Sequence, residues 1–94
     1  MLEPETQDYV AATIEILTGL TQDWNTGLEG SMGPDTCIVA DLGFESLDVV
    51  YLVTALEQKF DRRDLPFENL LMTKGRYVED IRVSQIAEFL QRHL

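Results

Sequence analysis

The sequence predicts an all-α fold, a four-helix bundle with a long connection between the first two helices and a short third helix. Three observations predict it. Every strong apolar periodicity follows helical spacing. Five of the six glycines lie in the connections rather than within the periodic stretches. Ninety-four residues, 45% of them hydrophobic, suffice for one modest core, so residues 1–94 read as a single domain.

The first helix is expected from Glu5 to about Leu20. Pro4 suits a first turn, and Val10, Ile14, Leu17 and Thr21 repeat at helical spacing with Ala11 alongside. Glu3, Glu5 and Asp8 lie at its N-terminal end, where the helix dipole favours negative charge. The run TQDWNTGLEGSMGPDT, residues 21–36, then reads as a loop. Gly27, Gly30, Gly33 and Pro34 punctuate it, and its length points to a functional segment. Trp24, Leu28, Ile38 and Leu42 are the side chains available to peg it onto the core.

A second helix is predicted from Ser46 to about Phe60. Val49, Leu52, Val53, Leu56 and Phe60 form a core-facing stripe. Leu47, Val50 and Tyr51 occupy another side, either covered by the long loop or open to a partner. Asp61-Arg62-Arg63-Asp64 breaks the pattern. Pro66 opens a short third helix through about Met72, with Phe67, Leu70 and Leu71 inward and Lys74-Gly75 as its stop. Tyr77, Val78 and Ile81 read as extended or irregular apolar anchors. The last helix spans about Val83 to Arg92, burying Val83, Ile86, Phe89 and Leu90, with Asp80 or Ser84 as its cap.

Charge separates the two parts of the chain. There are 17 acids against 7 bases, for a net charge of −10, and no Lys or Arg precedes Lys59. Such a surface repels nucleic acid and anionic membranes and attracts basic protein surfaces. No apolar run reaches the roughly 18–20 residues of a membrane span. The acidic N-terminus lacks the basic region of a signal peptide, so a cytoplasmic protein without membrane insertion is expected. One cysteine, Cys37, and one histidine, His93, cannot build a zinc site, and no internal disulfide is possible. Cys37, flanked by Ile38 and Val39, reads as an ordinary apolar side chain. No acidic stretch has the spacing of an EF-hand loop.

The informative segment is ADLGFESLDVVYLVTALEQKF, residues 40–60. Gly43 permits a tight turn, and Ser46 stands at or near the start of the second helix. A serine there has a structural explanation as an N-cap. The same place suits a phosphate ester, because free amides and the positive dipole end stabilise an anion. Unmodified Ser46 is a poor nucleophile without a neighbouring base. A Ser-His-Asp hydrolase would need His93 to fold back from the far end of the chain, and Gly43-Phe44-Glu45-Ser46-Leu47 is not G-x-S-x-G. No acid–base pair assembles, so an enzyme is not expected.

Residues 41–60, DLGFESLDVVYLVTALEQKF, resemble the signature of the acyl carrier protein family, in which D-L-G-x-D-S-L-D leads directly into L-V-x-A-L-E-x-x-F. The resemblance runs from Asp41 to Phe60 without a gap, and a weaker likeness covers the remaining helices. It implies that Ser46 carries a covalent 4′-phosphopantetheine arm, donated from coenzyme A by a holo-carrier-protein synthase. The arm's thiol would hold acyl groups as thioesters and deliver them to acyl-loading and acyl-consuming enzymes. Glu45, Leu47, Asp48, Val50, Tyr51, Thr54 and Glu57 would form the docking face for basic partner surfaces, on a protein expected to be monomeric.

Departures from the pattern are specific. Glu45 stands where the family usually has Asp, adding a methylene where the synthase makes its contacts. Tyr51 and Thr54 replace a frequent acid and a bulky apolar residue, and Gln58-Lys59 replaces an acidic pair. The docking face is therefore less acidic than in the housekeeping carrier of fatty acid synthesis, and a specialised carrier is predicted, in fatty acid, polyketide or related biosynthesis. The region from Asn69 to Ile81 is longer than in compact members. A peptidyl or aminoacyl carrier, and an unmodified acidic adaptor for basic proteins, are the competing readings. The acidity and the D-L-G-x-x-S-L-D pattern lean toward acyl cargo.

Overall fold

The structure, a computed structural model, describes residues 4–22 and 32–94. Among these the chain is mostly helical, with four helices and one two-stranded sheet. Helix α1 spans Pro4–Thr21, α2 spans Ser46–Phe60, α3 spans Glu68–Leu71 and α4 spans Val83–His93. Strands β1 (Met72–Thr73) and β2 (Arg76–Tyr77) form an antiparallel hairpin between α3 and α4. Trp24 and Leu28, two of the expected loop pegs, lie outside the described residues. The other two, Ile38 and Leu42, are buried.

Helix α1 packs most extensively on α4 and next on α2. Its buried stripe keeps Val10, Leu17 and Thr21 of the expected set and adds two further threonines. Thr6, Val10, Thr13, Leu17 and Thr21 are buried, whereas Ile14 is half-buried. Threonine tolerates this position because its hydroxyl bonds back into the helix. Thr13 Oγ1 donates to the Tyr9 carbonyl at 2.8 Å, and Thr21 Oγ1 to the Leu17 carbonyl at 2.8 Å. Thr6 instead bonds the Gln91 side chain on α4. Opposite α1, Val83, Ile86, Ala87, Phe89 and Leu90 of α4 are buried, in the pattern its periodicity predicted. The Phe89 ring packs on Phe67 at 5.2 Å between centroids, tying the residue before α3 to α4.

Three local expectations are corrected. Helix α3 is only four residues long, not the seven from Pro66 to Met72. Lys74-Gly75 does not end it but forms the hairpin turn: both residues have positive φ, 54° and 78°, as a type I′ turn requires. The fold is accordingly mostly helical, with four helices as expected and one small two-stranded sheet added. Tyr77, expected to anchor, sits on β2 with 77% of its surface exposed, while Ile81 is buried and Val78 half-buried.

The N-cap of α4 is neither Asp80 nor Ser84 but Arg82, whose backbone N–H donates to Gln85 Oε1 at 2.8 Å. Asp80 is used elsewhere. Helix α2 ends as its sequence suggests, with Asp61 in the left-handed region at φ 52° and the Arg62 N–H closing on the Glu57 carbonyl at 3.0 Å.

Candidate functional site

The segment leading into α2 is stitched to the start of α4 by backbone. Ile38 N–H donates to the Ile81 carbonyl at 3.0 Å, and Val83 N–H to the Thr36 carbonyl at 3.0 Å. The chain then turns on itself. Gly43 N–H reaches the Val39 carbonyl at 2.9 Å and Phe44 N–H the Ile38 carbonyl at 3.0 Å. Gly43 adopts φ 75°, a region in which a side chain strains the backbone even though open space surrounds the position. Ile38, Leu42 and Phe44 are buried, so the turn is held from beneath as well.

Glu45 is the N-cap of α2, extended at φ −109° and ψ 177°, and its N–H donates to Asp48 Oδ2 at 2.8 Å. The capping function is therefore taken by residues on either side of Ser46. Ser46 is the first helical residue, exposed, and among the described residues no group hydrogen-bonds its hydroxyl. The first-turn amides of α2 have no partners within the helix, and the dipole end places partial positive charge around the serine. Asp48, expected on a docking face, is half-buried and committed to the cap.

His93 lies at the C-terminal end of α4, its ring 4.6 Å from that of Phe89. Among the described residues no three His, Cys, Asp or Glu side chains cluster to hold a metal ion. Cys37 is half-buried, and burial together with the charges of Asp80 and Asp41 pushes its thiol pKa up, away from reactivity.

Beside Ser46 lies a cavity of about 650 Å³. One wall is α2, through Ser46, Val49, Val50, Val53 and Thr54. The facing wall comes from Phe67, Leu71, Tyr77 and Val78, and Val39, Phe44, Asp80 and Ile81 complete it near the serine. The stripe predicted on α2 thus divides. Leu52 and Leu56 enter the core, whereas Val49 and Val53 line the cavity and are half-buried. Phe60 is half-buried too, its ring 5.7 Å from that of Tyr9 on α1.

Leu47, Val50, Tyr51 and Thr54 recur at i, i+3, i+4 and i+7 and share the outward side of α2. Leu47, Val50 and Tyr51 are 61%, 56% and 53% exposed, so none of the described residues covers the patch. Thr54 is exposed, its hydroxyl bonded to the Val50 carbonyl at 3.0 Å, and Val50 and Thr54 also form the cavity rim. Glu45 is exposed at the mouth, and Glu57 is half-buried further along the helix.

Asp80 is the residue sequence reasoning misplaced. Its Oδ1 accepts from Val39 N–H at 2.9 Å and from its neighbour Ile81 N–H at 2.8 Å, and its Oδ2 accepts from Ala40 N–H at 3.0 Å. Burial pushes the carboxyl pKa up, but these three donors outweigh it and hold the net value below the ordinary aspartate range. The pairing joins residues about forty apart, so no local pattern announces it.

No helix among the described residues is long and apolar enough to cross a membrane. In comparison with known proteins, no family model matches the chain, and no curated protein and no solved structure matches it either.

Proposed function

We propose that the protein is an acyl carrier protein, a non-catalytic domain that carries thioester-bound acyl intermediates on a 4′-phosphopantetheine arm attached to Ser46. One observation carries the reading: the Ser46 hydroxyl is exposed and unbonded at the start of a 15-residue helix, and it opens onto an apolar cavity. The DLGFESLD pattern at the same residue is its second support.

The residues present fit such a group. A phosphodiester on Ser46 Oγ would sit at the head of α2 beside the Ser46 and Leu47 amides, where negative charge is favoured, the Asp48 amide being taken by the Glu45 side chain. In attachment, Ser46 Oγ would form the new bond to phosphorus as the phosphoanhydride bond of coenzyme A breaks and adenosine 3′,5′-bisphosphate leaves. The serine proton passes to a base of the modifying enzyme. Once bound, the arm supplies a thiol at the end of a long flexible chain, and tethering raises the cargo's effective concentration at successive enzymes. The apolar walls of Val49, Val53, Phe67 and Leu71 suit hydrocarbon cargo better than a charged aminoacyl group.

Around the serine, Leu47, Val50 and Tyr51 form an exposed apolar patch beside the exposed carboxylate of Glu45. That combination suits partner enzymes with an apolar contact rimmed by basic residues.

Intact-mass measurement tests the proposal. Incubated with a broad-specificity synthase and coenzyme A, the chain gains one phosphopantetheine, and Ser46→Ala gains none. An unchanged wild-type mass overturns it in favour of an unmodified adaptor.

A further inference from the structure

We infer that Asp80 is the positioning residue for Ser46, its carboxylate clamping from the far side of the sequence the turn that delivers the serine to the head of α2. The consequence for loading rests on the carrier reading of Ser46, whereas the clamp itself rests only on geometry. Both carboxylate oxygens are engaged, and two of the three donors, Val39 and Ala40, belong to the turn. Charge-assisted bonds of this kind are roughly twice as strong as neutral ones.

From the clamped residues the constraint passes on through two further bonds. The Val39 carbonyl accepts from Gly43, and the neighbouring Ile38 carbonyl accepts from Phe44, which leaves only Glu45 before the serine. Val39, Asp80 and Ser46 also border the same cavity, so slack at Asp80 would be felt at the serine's own surroundings. Neither the buried side chains of Ile38, Leu42 and Phe44 nor the Ile38–Ile81 and Val83–Thr36 backbone bonds depend on the carboxylate. Removing it should therefore loosen the turn without unfolding the domain.

The substitution Asp80→Asn is the test, because it keeps the shape and replaces one accepting oxygen by a group that cannot accept. Glu79→Gln, one residue away and exposed, removes the same charge without touching the turn. Two readouts are taken on the full chain: amide hydrogen exchange, and the rate of Ser46 loading by a synthase with coenzyme A.

In Asp80→Asn, the hydrogen-bonded amides of residues 39–45 should exchange at least about tenfold faster, while those of residues 86–90 in α4 keep their protection. The loading kcat should fall roughly tenfold or more with KM little changed, because the docking side of α2 is intact and only the hydroxyl is displaced. Glu79→Gln should match the wild type in both. Faster exchange confined to Val39 and Ala40, or loading unchanged in Asp80→Asn, overturns the inference. Equal losses in the two variants overturn it as well, by making net charge the cause. If the wild type is not loaded at all, the carrier reading falls, and hydrogen exchange at residues 39–45 still decides whether Asp80 positions the serine.

Discussion

On the α1 side of helix α2, Leu52 and Leu56 are almost fully buried. On the adjoining side of the same stripe, Val49 and Val53 line a cavity of about 650 Å³ across from α3 and the hairpin. The same 15-residue helix is thus packed on one flank and hollow on the other. The packed flank, reinforced where Lys59 Nζ pairs with Glu15 of α1 at 3.5 Å, fixes where the helix and its first residue stand. The hollow flank leaves room beside Ser46. A site that must be presented to other enzymes needs both: a rigid support, and empty volume next to the reactive position.

The difference is sharpest under truncation. Leu56→Ala on the packed flank removes atoms with partners on all sides and should cost about 2–5 kcal/mol. In a domain of this size that lowers the thermal midpoint by roughly 10 °C or more. Val53→Ala on the hollow flank deletes atoms that already face a void and should cost about 1 kcal/mol or less. Equal losses, read by thermal denaturation, would show that the cavity closes in solution.

Next in size is the turn that joins the flanks. Gly43→Ala should destabilise by about 1–2 kcal/mol through its positive φ alone, since a Cβ there meets no neighbour. An unchanged midpoint would mean that the turn relaxes to another conformation.

The smallest effect concerns acid. The folded-state pKa of the Asp80 carboxyl is depressed, so its contribution is fully present above the unfolded-state value and is lost as pH falls through the folded value, below about pH 4. Denaturation followed from pH 6 to pH 3 should show a shallower loss of stability in Asp80→Asn than in the wild type over that window. Asp64 is depressed as well, by hydrogen bonding to Arg62, but that pair is exposed and contributes little.

Helix α2 was legible to the residue at both ends, because capping groups and apolar spacing are local properties of residues 45–61. The outward patch was legible as a stripe but not as exposed, since exposure depends on what other segments leave uncovered. Helix α1 was found with most of its stripe, Val10, Leu17 and Thr21, but Thr6 and Thr13 were missed, because threonine can satisfy its hydroxyl within the helix or on a neighbouring side chain and so be buried where a polar residue is not expected. The hairpin was missed although Lys74-Gly75 is compatible with a type I′ turn, because strands of two residues are too short to display a period.

By itself the sequence determined the helices, the placement of Ser46 at a helix start and the acidity of residues 1–58, all of which follow from residue type and short-range spacing. Tertiary structure alone decided that a cavity lies beside the serine, that three α2 valines line it, and that Asp80 holds the turn rather than capping α4. These depend on contacts between residues tens of positions apart, which form only when the packing of α1, α2 and α4 brings their backbones together.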